Sequence, residues 1–200
     1  MGVAAVHDVA FQLRRRRMLA LASLWVTPGA VPLAMAGEAP TGWVQPRLPA
    51  PPLRITTVDG RHVPFAGVLV GKVTAVQLMF TGCSSTCPPQ GALFAALAKR
   101  LRSTDTQLLS ISIDALGDTP ATMSAWQARF GTFPSWHTAV ADATGADLLC
   151  NFMQGAVGRS GTHTAQAFVF DRRGQLCYRT GDSPGLGELE ALIAGVAHLG

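Results

Sequence analysis

Basic runs are almost absent from this chain. Lys and Arg number sixteen in 200 residues, and four of them are Arg14 to Arg17, near the N-terminus. If the chain is cut after Ala36, twelve basic residues face eleven acidic ones, and the net charge falls from +4 to +1. Nucleic-acid binding then has no electrostatic footprint. Charge of either sign is scarce, at 14%. There is no internal repeat and no low-complexity block, so repeat arrays are excluded. What is present is a 48% hydrophobic content in a chain long enough for one domain with a full core, plus extra segments.

The first extra segment has three parts. Arg14 to Arg17 form a positive start. A mostly apolar stretch follows, from Met18 to Leu33, and Ala34-Met35-Ala36 supplies an A-x-A cleavage site before Gly37. Arg15-Arg16-Arg17-Met18-Leu19 loosely resembles a twin-arginine export signal. Residues 1–36 are therefore expected to be a signal peptide or an N-terminal anchor. Pro28 and Pro32 interrupt the apolar stretch and favour cleavage over anchoring. Either way the remainder is expected to be exported, to the periplasm or the outer face of the inner membrane. All four cysteines lie in that remainder, facing an oxidising compartment.

Residues 37–52 hold Pro40, Pro46, Pro49, Pro51 and Pro52, which predicts an extended, poorly packed linker. The folded domain is expected over 53–200. Asp59-Gly60, between Arg54–Thr57 and His62-Val63, signals a hairpin. Gly71-Lys72 leads into a buried strand that ends at Met79-Phe80. Beyond Pro88 the period changes, with Leu93, Phe94, Leu97 and Leu101 at helical spacing. Gln107 to Ile113 predicts a second buried strand. Thr119-Pro120 opens a helix with Thr119 as N-cap. Trp136 to Val140 predicts a short strand, and Ala146 to Met153 a helix. A glycine-rich loop, Gly155 to Gly161, leads to His163. Gln166–Phe170 and Leu176–Arg179 predict a hairpin, and Gly185–His198 a closing helix. Alternating β and α elements with a terminal hairpin imply an α/β domain, with a mixed sheet and helices on both faces. A strand–Cys–helix unit opening such a sheet is the thioredoxin-like arrangement, with its chemistry at the carboxyl ends of the strands.

Cys83 and Cys87 sit at the handover from strand to helix, with Pro88 and Pro89 behind them. Backbone N–H groups and the positive end of the helix dipole are expected to face the sulfurs and favour thiolate.

Four segments in order resemble the Sco/SenC family of copper-handling, thioredoxin-like proteins. Gly71-Lys72 precedes the apolar strand. Phe80-Thr81-Gly82-Cys83-Ser84-Ser85-Thr86-Cys87-Pro88 matches the family's F-T-x-C-x-x-x-C-P. Ile111-Ser112-Ile113-Asp114 with Asp118-Thr119-Pro120 matches its I-S-(V/I)-D…D-T-P segment. His163, shortly before Phe168-Val169-Phe170-Asp171, matches its single histidine. The resemblance runs from about Leu53 to the C-terminus. It implies a copper metallochaperone that serves the copper site of cytochrome c oxidase, with Cys83, Cys87 and His163 as metal ligands. Two features depart from the pattern. The acidic residue that many members carry between the cysteines is replaced by Ser84-Ser85-Thr86, and Cys150 and Cys177 are extra.

Residues i and i+4 share one helix face, so both sulfurs can turn to one point, where a ligand from a facing loop would complete a trigonal set. Two thiolates and an imidazole in three-coordination suit Cu(I), whereas structural zinc takes four closed positions. The place of His163 in that set rests on topology and the resemblance, since it lies far along the chain. The same sulfurs are close enough for a disulfide. A redox pair, Cys83 with Cys87, is therefore the competing reading, as a thiol–disulfide oxidoreductase acting on a partner's cysteines. Thioredoxins use C-x-x-C and a Pro beside the facing strand; Thr162-His163-Thr164 has no such Pro. A peroxiredoxin-like site would need Thr three residues before its cysteine, where this chain has Phe80 or Ser84. A structural Cys83–Cys87 disulfide is the plainest alternative.

The remaining candidates are weaker. Asp114 is either a residue near the metal or a polar strand terminus, and Asp118 a turn and cap residue. Cys150 and Cys177 are buried hydrophobes or a disulfide pair. His62, His137 and His198 lack cysteine neighbours. Met79, Met123 and Met153 are scattered as core residues are.

Overall fold

A computed structural model describes residues 39–154 and 165–199. In chain order the elements are β1 (Gly42–Pro49), β2 (Arg54–Thr57), β3 (His62–Pro64), α1 (Phe65–Leu69), β4 (Val73–Met79) and α2 (Cys87–Arg100). There follow β5 (Thr106–Ser112), α3 (Pro120–Ala128), β6 (Trp136–Ala141), α4 (Ala143–Met153), β7 (Phe168–Phe170), β8 (Gln175–Arg179) and α5 (Leu186–Ala197). The strands make one sheet in the order β1-β8-β7-β4-β5-β6-β2-β3. β4, β5 and β6 are parallel, and the other pairs are antiparallel. The mixed α/β sheet expected from the sequence is present.

β4 and β5 lie at the centre because every one of their residues is buried. A strand covered on both faces reads as a continuous apolar run, which is why Val73–Met79 was legible without alternation. On one face Val73, Ala75, Met79, Leu108 and Val140 meet α2 and α5 through Phe94, Leu97, Leu189 and Ile193. Trp126 of α3 and Trp136 join that layer edge to face, 5.9 Å apart. On the other face Val76, Leu78, Leu109, Ile111 and Phe168 meet α1 and α4 through Phe65, Leu69, Leu149 and Met153. Each large side chain fully buried in this way contributes roughly 1.5–3 kcal/mol.

Residues 39–52, the described part of the expected linker 37–52, depart from expectation. Gly42–Pro49 is extended, yet it is an edge strand paired with β8, not a loosely packed linker. Val44 is buried, Trp43 packs edge-on against Tyr178 at 5.2 Å, and Arg47 pairs with the buried Asp171 at 2.9 Å. Proline is tolerated there because an edge strand leaves half of its N–H groups without a ladder partner, and the register shifts between Trp43 and Leu48. The short helix α1 was not expected either; five residues are too few to show a period.

Candidate metal and thiol site

β4 ends at Met79, and the chain turns through Phe80 and Thr81, with the Cys83 N–H donating to the Phe80 carbonyl at 3.1 Å. α2 begins at Cys87, with Thr86 as its N-cap residue. Cys83 therefore precedes the helix, and the expectation that both cysteines share one helix face is corrected. The cause lies in the prolines. Pro88 and Pro89 bring no N–H, and Gln90 already donates to the Thr86 carbonyl at 3.2 Å. The one donor left in the first three helical positions is the Cys87 N–H, and it points to Cys83 Sγ at 3.4 Å. The Thr86 side chain offers no cap of its own to the helix, and the sulfur takes that place.

Thr86 Oγ1 lies 3.4 Å and Ser85 Oγ 3.8 Å from the same sulfur. Partial burial pushes the Cys83 thiol up. Hydrogen bonds from the Thr86 hydroxyl, the Cys87 N–H and the Cys87 thiol outweigh it and bring the group down to about 5. Cys87 is wholly buried. Burial first, and then the neighbouring Cys83 sulfur, pushes it up to about 12. At neutral pH the pair is one half-buried thiolate and one buried thiol, in direct contact. That arrangement offers a soft anionic donor and a nucleophile in the same atom.

The loop that presents Cys83 is held from the side. Asp118 is buried, and its carboxylate accepts from the Thr81 N–H at 2.9 Å, from the Thr81 hydroxyl and from the Ser112 hydroxyl. It thus ties the end of β4 to the end of β5. Asp114 receives the N–H groups of Leu116 and Gly117 at 3.3 and 2.8 Å, so its carboxylate shapes the β5–α3 turn. Thr119 caps α3 as the sequence predicted, its side chain accepting from the Thr122 N–H at 3.2 Å.

His163 and the glycine-rich loop Gly155 to Gly161 lie outside the described residues, as does the segment 1–36. The residues flanking 155–164 are described, and one strand end holds both sides. Arg179 donates to the carbonyls of Met153 at 2.9 Å and Phe152 at 3.1 Å, closing the C-terminal end of α4. Asp182 accepts the Ala165 N–H at 2.8 Å. Gln90 of α2 reaches the Gln166 carbonyl at 3.3 Å, bringing that return segment to the cysteine helix. The sequence hid Thr86 and Arg179 as supporting residues, and it offered Asp118 only as a turn and cap residue, whereas Thr119 is the cap and Asp118 joins Thr81 to Ser112. Asp118 and Arg179 have partners 26 to 37 positions away, and the Thr86 contact depends on how the turn folds. Among the described residues no three His, Cys, Asp or Glu side chains gather at a point that could hold a metal ion.

Cys150 and Cys177 are both free. Cys177 belongs to the core under α2, and Cys150 packs against the core under α1 and α4. The sheet separates them, so the disulfide left open by the sequence does not form. Burial, and then a nearby carboxylate, raises both thiols, Asp147 for Cys150 and Asp171 for Cys177. His62 bonds Thr56 Oγ1 at 3.0 Å, and His198 ends α5.

A mixed sheet with helices on both faces, and a dithiol where its central strand meets a helix, define a thioredoxin-like protein. A sequence model of the SCO1/SenC family matches residues 50–148. Over that stretch, which holds both cysteines, the chain is similar to that family. The SCO1 protein homolog of Bacillus subtilis (strain 168) is 30% identical over 88 residues; the match covers 42% of this chain and 45% of the homolog, less than half of its length. Many solved structures are similar, and three of them illustrate the likeness. A SCO1/SenC family lipoprotein from Bacillus anthracis str. Ames aligns at TM-score 0.66 and 22% identity, over 77% of this chain and 99% of its own. BsSco, a member of the Sco family of cytochrome c oxidase assembly proteins with a disulfide switch, aligns at 0.66 and 18%, over 77% and 96%. Arabidopsis thaliana ScoI with copper bound aligns at 0.64 and 17%, over 75% and 98%.

Proposed function

We propose that this chain is an exported copper metallochaperone. It takes up Cu(I) as cargo on Cys83, Cys87 and His163 and passes it to the copper site of a cytochrome c oxidase subunit or a similar membrane protein. The observation that carries this reading is the Cys83 sulfur held at the start of α2 by the Cys87 N–H at 3.4 Å, which helps bring its thiol down to about 5. Two adjacent soft donors, one of them already ionised, fit Cu(I). The copper-bound plant relative and the oxidase-assembly description of BsSco support the cargo and the recipient. Export rests on the leader 1–36, and the lipoprotein relative supports it. No helix among the described residues is long and apolar enough to cross a membrane.

Cys83 would bind as thiolate without further proton loss, whereas Cys87 must release its proton when it ligates. Asp118 fixes the loop that aims Cys83, and partial burial limits competition from water. The test is a Cu(I) titration against a chromophoric chelator. One equivalent bound by reduced protein, and none by the Cys83–Cys87 disulfide form, is the expected result. Binding that is indifferent to oxidation removes the proposal.

The asymmetry of the two thiols favours a second reading, a thiol–disulfide oxidoreductase. The Cys83 thiolate would attack a partner's disulfide and release one partner thiolate. Cys87 would then give up its proton, attack Cys83 Sγ and release the second. The partner gains two thiols, and the chain keeps the Cys83–Cys87 disulfide.

A further inference from the structure

We propose a phosphate-binding pocket at the pole of the domain opposite the cysteines. Lys72, Arg102, Ser103 and Ser135 converge there on one cavity of about 340 Å³. Lys72 directly precedes β4, Arg102 follows α2, and Ser135 directly precedes β6. All lie at the amino ends of the parallel strands, whereas the cysteines follow the carboxyl end of β4. Seven residues of strand separate the two, roughly 23 Å.

The donors are free. Arg100, Arg172, Arg61 and Arg47 have carboxylate partners, but no ion pair among the described residues involves Lys72 or Arg102. Ser103 Oγ accepts the Asp105 N–H at 3.1 Å, which leaves its proton to donate. Thr104 also lines the cavity, but its hydroxyl is turned to Asp105 at 3.3 Å. Asp105 is the carboxylate nearest in sequence, and Arg172 offsets it at 3.5 Å. The field of Lys72 reaches His137, whose protonation is pushed down first by burial and then by that ammonium.

The wall is apolar. Phe133, Pro134, Ala98 and Leu101 form it, and Lys99 stands 6.0 Å over the Phe133 ring. A planar guanidinium, a compact ammonium and two hydroxyl donors beside a partly apolar wall match the tetrahedral oxygens of a phosphate group. The volume admits a phosphomonoester or a lipid headgroup and is small for a larger cofactor. The shared chemistry is the phosphate oxygen set, and its source is either an acidic lipid or a soluble phosphate.

The experiment uses the full chain. Inorganic phosphate is titrated while the amide resonances of Ser103 and Ser135 are followed. In parallel, sedimentation is compared with vesicles of phosphatidylglycerol and phosphatidylcholine and with vesicles of phosphatidylcholine alone. Any pull from Arg14 to Arg17 is shared by parent and variants, so the variants are compared with the parent. Lys72→Ala and Arg102→Ala should each weaken phosphate binding roughly tenfold or more, the scale of one charged hydrogen bond. Arg173→Ala, on the same pole but outside the cavity, should not. If Lys72→Ala fails to fold, Arg102→Ala decides. Loss of the phosphatidylglycerol preference in the same two variants assigns the pocket to lipid headgroups. Loss of phosphate binding alone assigns it to a soluble phosphate. An equal fall in Arg173→Ala, or no shift at Ser103 and Ser135, overturns the pocket and leaves diffuse charge.

Discussion

The backbone N–H of Cys87 donates to the sulfur of Cys83 at 3.4 Å, so the helix begins by capping itself on a thiolate. A C-x-x-x-C pair followed by two prolines is what permits this. The prolines remove the competing donors, and the i−4 sulfur receives the remaining one. Each chemical role proposed for the pair follows from that contact.

Alkylation of reduced, chelator-treated protein should report it directly. The thiolate reacts and the thiol does not, so the rate at Cys83 should rise as pH increases through about 5 and level off above that. Cys87, pushed up to about 12, should stay unmodified across the neutral range. Thr86→Val removes one of the hydrogen bonds that hold Cys83 down. A hydrogen bond to a charged group contributes about 1.5–3 kcal/mol, so the midpoint should climb by roughly 1–2 pH units. Mass spectrometry of iodoacetamide-treated samples across a pH series checks all three statements. A Cys83 midpoint in the ordinary thiol range would refute them.

Asp118→Asn should loosen the loop that aims Cys83. Asp118 accepts from Thr81 twice and from Ser112. Asparagine keeps one acceptor and turns an NH2 toward donors, so at least one buried donor goes unmet. The expected cost is about 2–4 kcal/mol in urea unfolding, with a Cys83 alkylation midpoint that moves upward. An unchanged midpoint would mean that Asp118 supports the fold but not the thiolate.

The fold and the site differ in how far they were legible. Val73–Met79 showed as a strand because both of its faces are covered, and Thr119-Pro120 showed as a helix start because its cap is local. Gly42–Pro49 did not, because Pro46 and Pro49 give the composition of a linker and only the free sheet edge makes them acceptable. Cys83 and Cys87 were legible as a pair. Their unequal thiols were not, since the order of donors around Cys83 depends on where the helix begins. The links from Asp118 to Thr81 and from Arg179 to Met153 join segments that no local pattern connects.

Gly91 tests the packing behind the site. A Cβ added there would stand 2.6 Å from the Phe130 ring and 3.0 Å from Trp126. Gly91→Ala improves helix propensity by up to about 1 kcal/mol. Overpacking of this kind costs about 1–3 kcal/mol, so the net effect should be destabilising. A thermal scan checks the sign. An increased midpoint would mean that α2 and α3 part easily, and that the Trp126–Phe130 layer is softer than its 5.0 Å ring contact implies.

The ligand set itself is tested by substitution. If Cu(I) is held by Cys83, Cys87 and His163, the two sulfurs should matter more than the imidazole, because a thiolate brings both charge and a soft donor. Cys83→Ser leaves a buried thiol at Cys87 without its partner, and Cys87→Ser leaves a single half-buried thiolate. Neither can chelate, and stable binding should be lost in both. His163→Ala leaves two sulfurs able to hold Cu(I) linearly, with affinity lowered by something like 10–100-fold. Cys150→Ser and Cys177→Ser should leave affinity unchanged, since these thiols are raised by burial and packed into opposite cores. Competition with a chromophoric Cu(I) chelator, on each variant reduced and oxidised, supplies the measurement. Parent-like binding in the Cys83→Ser, Cys87→Ser double variant would remove the copper site and move the oxidoreductase reading ahead of it.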